Sequence, residues 1–146
     1  MKLDPNFSEF IALLNANAVE YLLVGGYAVI VYGYPRFTGD LDIWVRPSEE
    51  NARKLLKVLQ KFGFGSVEIG IKDFTDEESV VQFGYPPVRI DVMTSIDGVT
   101  FDESFPKRVV KDVSGVQLNV IHLDDLKTNK RTTGRYKDLN DIEHLP

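Results

Sequence analysis

The sequence predicts an α/β (α+β) domain in which short buried strands alternate with amphipathic helices. Three observations carry this. A four-residue apolar run, Tyr21–Val24, closes on Gly25-Gly26 and leads directly into an apolar segment of helical length. Leu55, Leu56, Val58, Leu59 and Phe62 repeat at helical spacing between two strand-like runs, Asp40–Val45 and residues 88–94. Both of those runs set carboxylates among apolar side chains, as strands near a functional site do.

The elements follow in order. Pro5 suits a first helical turn, and Phe7, Phe10, Ile11, Leu13 and Leu14 keep the rhythm of an amphipathic helix that Asn15-Ala16-Asn17 would end. Residues 21–24 read as a buried strand. Residues 27–33 read as a short buried helix despite their β-branched side chains, which makes Gly25-Gly26 a strand-to-helix turn. Residues 34–39 form a loop by Pro35 and Gly39. Ser48 is a candidate N-cap, with Glu49 and Glu50 in the first turn, for a helix that Gly63 stops. Val67-Glu68-Ile69 reads as a short strand, residues 73–78 as an acidic loop or helical turn, and residues 80–83 as a strand. Gly84-Tyr85-Pro86-Pro87 then turns the chain into the strand at 88–94. A hairpin is expected from residues 108–110 and 116–121 around Ser114-Gly115. A helix opens at residues 122–126 with an acid as its N-cap, and Gly134 separates it from a second helix at 136–145.

A length of 146 residues suits one domain, 1–146. The absence of cysteine excludes disulfides, thiol catalysis and cysteine-rich zinc sites. The first residues lack a signal-peptide core, and no apolar run approaches the roughly 18 residues that span a bilayer, so a cytoplasmic protein is expected. A net charge of −5 argues against a general nucleic-acid-binding surface. Lys127, Lys130, Arg131, Arg135 and Lys137 are a local exception, either a solvated helix face or a cationic partner for phosphate.

The chemistry concentrates at Asp40 and Asp42. Strand alternation places both on one face, roughly 6–7 Å apart, where bare carboxylates repel. A divalent cation between them removes the conflict, and Mg²⁺ commonly takes one or two protein carboxylates and completes its shell with water and phosphate oxygens. Solvated turn acids are the plain alternative, as a tight turn without ligand is for Gly25-Gly26. Asp91, between Ile90 and Val92, needs solvent or a partner; if its strand lies beside Asp40–Val45, it becomes a third carboxylate at the same place. Trp44 is expected to point away from the acids into the core. His122 and His144 lack metal-ligand spacing and read as a turn residue and a helix-face residue. Tyr27, Tyr32 and Tyr34 could flank a base, although nothing singles them out.

Gly25-Gly26 after a strand, Asp40-x-Asp42 on the next, and an isolated Asp91 on a later one together resemble the nucleotidyltransferase superfamily related to DNA polymerase β. The likeness covers about residues 20–95. The segments G-G-Y-A-V-x-x-Y-G-x-P-R-x-T-x-D-L-D-I and K-R-x-x-G-R-x-K-D-L-x-D-I are similar to the minimal nucleotidyltransferases, which include toxin–antitoxin and abortive-infection proteins. Aminoglycoside and lincosamide nucleotidyltransferases share the first segment more loosely.

The resemblance implies a mixed β-sheet flanked by helices, with a C-terminal hairpin and helices at about 107–146. It assigns Asp40, Asp42 and Asp91 as metal-binding and catalytic acids and Gly25 and Gly26 as the phosphate-side turn. It puts Arg36 and Thr38 near the nucleotide, and Lys130, Arg135 and Lys137 in a C-terminal basic motif. One departure is Gly26, which stands where many relatives have a serine, so phosphate binding would rest on backbone N–H groups. The implied activity is of the EC 2.7.7 type: transfer of a nucleoside monophosphate from a triphosphate, ATP first among them, to an acceptor hydroxyl. Two Mg²⁺ ions, or Mn²⁺ in their place, would serve it. The acceptor is a tRNA, a partner protein or a small molecule, and a homodimer or a toxin–antitoxin partner is compatible. The alternative is a non-catalytic nucleotide- or partner-binding module on the same fold.

Overall fold

Alternation along one central strand, β2 (Asp40–Val45), decides how the molecule is layered. Leu41, Ile43 and Val45 turn to one face and are fully buried. Asp40, Asp42 and Trp44 turn to the other. The computed structural model describes residues 2–64 and 68–146.

β2 lies third in a six-stranded mixed sheet of order β3-β4-β2-β1-β6-β5, built from β1 (Tyr21–Val24), β3 (Val80–Tyr85), β4 (Val88–Met93), β5 (Val109–Val113) and β6 (Val116–Val120). β2 runs antiparallel to β1 and parallel to β4. The edges are the outer strands of two hairpins, β3 on β4 and β5 on β6. A parallel pair needs a crossover, and α3 (Glu49–Leu59) lies within the one that connects β2 to β4.

The first face is covered by α1 (Pro5–Ala16), which starts where the Asp4 carboxylate accepts a hydrogen bond from the Asn6 N–H, 2.8 Å. Phe7, Phe10, Ile11 and Leu14 form its buried stripe. The Tyr21 hydroxyl crosses from β1 to donate to Asn15 Oδ1 at 2.9 Å, which fixes that side of the sheet against α1. Ser48 caps α3 through the Asn51 N–H, as expected, and Gly63 takes φ 106° in the wider turn that follows the helix.

The opposite face carries the polar residues of β2 and β4. Around it stand α2 (Gly25–Val31), a short α4 (Phe101–Ser104), α5 (Leu123–Thr133) and α6 (Tyr136–His144). Gly134, at φ 66°, makes the left-handed turn between the last two.

Several expectations change. α2 takes in Gly25 and Gly26, expected as the turn before it, and β3 runs on through Gly84 and Tyr85, expected as part of the turn after it. Of the strand expected at 67–69, Val67 lies outside the described residues, and Glu68 and Ile69 have no regular structure. α5 is capped by His122, whose Nδ1 accepts from the Asp124 N–H at 3.1 Å, rather than by an acid. Trp44 shares the face of Asp40 and Asp42, because residues two apart on a strand point the same way. It is buried there, edge-on to Phe101 with ring centroids 5.2 Å apart.

Candidate active site

Parallel pairing of β2 with β4 sets Asp40 beside Arg89, Asp42 beside Asp91 and Trp44 beside Met93. Paired residues share a face, so Asp40, Asp42 and Asp91 project from the same side of the sheet on two neighbouring inner strands. Asp91 is buried, and Asp40 is more open than Asp91.

Arg89 is the residue that pattern reading missed. Two residues before Asp91 on the same face, it donates from Nε and a terminal nitrogen to both Asp91 oxygens, each at 3.0 Å, and its Nε stands 3.8 Å from Asp40. It is the cation that answers Asp91 and reaches Asp40. The signal was available as R-x-D at strand spacing, but a charge before an acid is too common to single out.

Asp42 has no hydrogen-bonded partner among the described residues. Burial, reinforced by Asp91 and Asp40, pushes its carboxyl up to about 7, against the opposing pull of Lys130 and Lys137. An acid held half-protonated near neutral pH, beside two more carboxylates, is a group in want of a cation.

Gly25 opens α2 at φ 69° directly over this group; a Cβ there would lie 2.1 Å from Asp42 Oδ2. At Gly26 a Cβ would lie 2.4 Å from Thr38 Oγ1 and 3.1 Å from a terminal nitrogen of Arg36. The Gly-Gly turn, the 34–39 loop and the acids are therefore one assembly, as the spacing suggested. Both glycines answer to packing as well as to any ligand.

The C-terminal basic residues divide. Lys130 is buried, with its Nζ 3.0 Å from Asp141 and 3.3 Å from Asp138. Arg135 Nε donates to Asp138 at 2.7 Å, and the Thr133 hydroxyl donates to the same oxygen, also at 2.7 Å. Arg36 meets Asp141 through two nitrogens, at 2.9 and 3.0 Å. Three of the expected nucleotide-side cations thus anchor α6 to α5 and to the 34–39 loop. The acids they meet lie three apart on α6, within one turn of a helix. Lys137 is exposed, forms no ion pair among the described residues, and acts on Asp42 through its charge.

A cleft of about 260 Å³ lies between these groups, lined by Gly25, Asp42, Ser95, Lys130, Arg135 and Asp138 among others. It brings Gly25, one of the three strand acids, Lys130 and Arg135 to one space, with Asp97 and Asp138 also on its wall. Asp40, Asp91, Arg36, Thr38 and Lys137 do not line it.

The donor set suits a hard divalent ion at Asp40 and Asp42, which supply carboxylate oxygens on one face and include one with no hydrogen-bond partner. Among the described residues no group of three acids or histidines stands ready to hold one ion, and Asp91 is held by Arg89. The three tyrosines that could have flanked a base are occupied elsewhere. Tyr27 packs edge-on to Phe7, Tyr32 donates to the Ile121 carbonyl at 2.7 Å, and Tyr34 stacks on His144.

A family described as nucleotidyltransferases of unknown function (DUF6036) matches residues 2–145. The chain belongs to this family. The fold agrees with that of a candidate nucleotidyltransferase from Thermotoga maritima, whose crystal structure superposes with a TM-score of 0.64 at 14% identity, covering 94% of this chain and 88% of that one. Among curated proteins nothing matches. The nucleotidyltransferase superfamily and its mixed-sheet α+β fold are thereby established for the chain. Among the described residues no helix is long and apolar enough to cross a membrane.

Proposed function

We propose that the protein moves a nucleoside monophosphate from a Mg²⁺-bound nucleoside triphosphate, ATP first among them, to an acceptor hydroxyl, releasing pyrophosphate. The observation that carries this is the pairing of Asp42 with Asp91, with Asp40 on the same face and Gly25 against Asp42.

Asp40 and Asp42 would hold Mg²⁺ or Mn²⁺, with Asp91 available to a second ion. The bound metal supplies neutralisation of the triphosphate and a more acidic acceptor hydroxyl. Gly25 leaves room for a ligand against its backbone, Lys130 and Arg135 line the cleft, and Lys137 adds its charge from outside it. In the reaction the acceptor oxygen bonds to the α-phosphorus and the bond to pyrophosphate breaks. Asp91, once Arg89 lets it go, takes the hydroxyl proton. A tRNA end, a protein hydroxyl and a small hydroxyl compound all fit this scheme as acceptors.

One observation favours a second reading, a partner-protein-binding module that takes no nucleotide and does no turnover: Arg89 already answers Asp91. Thermal unfolding with Mg²⁺–ATP separates the two. At a hundredfold excess over the dissociation constant, nucleotide stabilises by about 2.7 kcal/mol, a rise of roughly 5–10 °C for a chain this size. Asp42→Asn abolishes that rise under the first reading. No shift with any triphosphate leaves the second.

A further inference from the structure

The outer strand β5 ends the sheet with an open row of backbone groups, and the residues along it complement a second copy of themselves. Val110 is 53% exposed, and Arg108, Lys111 and Asp112 are exposed with it. An uncovered edge of this kind is a template for another strand.

Which groups face outward follows from the hairpin. Ser114 and Gly115, at φ 54° and 78°, form a two-residue turn closed by the pair Val113–Val116. The closing pair exchanges both of its hydrogen bonds, so by alternation Val113, Lys111 and Val109 direct their N–H and C=O groups to β6. Those of Val110 and Asp112 point away from the sheet. Among the described residues no backbone bond from outside the hairpin reaches them.

The side chains repeat the pattern. Arg108, Val110 and Asp112 share one face of the strand, and Val109 and Lys111 the other. Among the described residues neither Arg108 nor Asp112 has an ion-pair partner. Four residues apart on an extended chain, roughly 13 Å, they cannot meet each other. The Arg108 guanidinium is steadied 4.0 Å over the Phe105 ring, and one of its nitrogens donates to the Phe105 carbonyl at 3.0 Å, which leaves further N–H groups for a carboxylate.

Antiparallel pairing of β5 with its own copy must set outward-pointing residues opposite one another, so the allowed registers differ by steps of two. With Val110 opposite the copy's Val110, Arg108 faces the copy's Asp112 and Asp112 the copy's Arg108. Lys111 then faces the copy's Val109, whose apolar surface its stem covers. A step in one direction sets Lys111 opposite itself, and a step in the other sets it opposite Lys107. Like charges directly opposite are unfavourable, so one register is selected.

We propose that β5 pairs antiparallel with β5 of a second copy, with Val110 on the two-fold axis, to form a reversible dimer with one continuous sheet. Every contact is made twice about the axis, which crosses the sheet and leaves both acid-bearing faces open on the same side. One short strand buries little area, so monomer and dimer exchange. The interface does not depend on the nucleotidyl-transfer reading.

Sedimentation equilibrium of the full chain, from micromolar to near-millimolar concentration, tests it. The expected result is a mean mass that climbs from the monomer toward twice that value. Asp112→Arg sets two cations opposite each other and weakens association by about tenfold or more. Arg108→Asp combined with Asp112→Arg exchanges the charges and restores it. Val110→Pro removes the outward N–H at the axis without breaking a bond to β6, and it too weakens the dimer. The charge variants alter exposed side chains alone, so they decide the matter even where the proline disturbs the hairpin. A parent that stays monomeric at every concentration overturns the proposal. So does a dimer that Asp112→Arg leaves unchanged, or one that the charge exchange fails to restore.

Discussion

Gly25 and Asp42 touch: the backbone of the first residue of α2 lies so near the carboxylate that a methyl group on Gly25 would stand 2.1 Å from Oδ2, at a φ of 69°. The turn and the acid are separated by sixteen residues, yet each fixes where the other can be, since Val24 pairs with Asp42 across β1 and β2.

Gly25→Ala therefore combines a left-handed backbone penalty of about 1–2 kcal/mol with displacement of the Asp42 side chain. The expected outcome is a melting temperature lower by a few degrees and loss of the Mg²⁺–ATP shift. A variant that melts lower but keeps the full nucleotide shift would show that the contact serves packing alone.

Asp42 carries a pH signature. Its carboxyl is raised in the folded state, so its protonated form is favoured there. The stability it contributes is fully present below the ordinary carboxylate range and is lost as pH rises through about 7. Without metal, Asp42→Asn is expected to be more stable than the parent above pH 7, by roughly 1–3 kcal/mol. Below about pH 4 the two converge. Urea unfolding at several pH values measures this; a parent as stable as the variant at pH 8 contradicts the assignment.

Arg89 holds the acid group together in the absence of an ion. Arg89→Gln leaves Asp40, Asp42 and Asp91 to repel one another. The metal-free variant should melt below the parent at pH 8 and recover on addition of Mg²⁺ by more degrees than the parent gains. Equal Mg²⁺ responses in the two proteins would remove Arg89 from the site.

Lys130 is a structural cation before it is anything else. Its replacement by methionine removes the buried cation that Asp138 and Asp141 share and leaves Asp138 to Arg135 and Asp141 to Arg36, a loss of at most about 3–5 kcal/mol, the cost of breaking a buried pair outright. Asp138 adds a pH dependence of the opposite sign to that of Asp42. Burial alone would raise its carboxyl, but Arg135, Thr133 and Lys130 together hold it well below the usual range. Its contribution is present above the unfolded carboxylate range and disappears as pH falls below it. Asp138→Asn should flatten the acid limb of the stability profile.

Periodicity carried most of the fold. β1 and α2 are legible as apolar runs on either side of two glycines, β2 by alternation, α3 by its helical stripe, and the β5–β6 hairpin by its Ser114-Gly115 turn. The three acids were legible too, since strand alternation and one assumption about neighbouring strands place them together. What stayed hidden depends on partners far along the chain. That Arg36, Lys130 and Arg135 meet Asp138 and Asp141 requires knowing how α6 folds back on α5. Arg89 looks like any strand-edge charge until the register puts it beside Asp40. The error over Trp44 has a different origin: period-two alternation, applied consistently, puts residues 40, 42 and 44 on one face.

The central claim is that the carboxylates of β2 and β4 act together on a nucleotide. Its most direct test is transfer of label from each α-labelled triphosphate with Mg²⁺ to tRNA, partner proteins and small hydroxyl compounds, comparing the parent with Asp91→Asn. Label entering one acceptor class with the parent, and none with a folded Asp91→Asn, is the predicted result; transfer undiminished in that variant contradicts it.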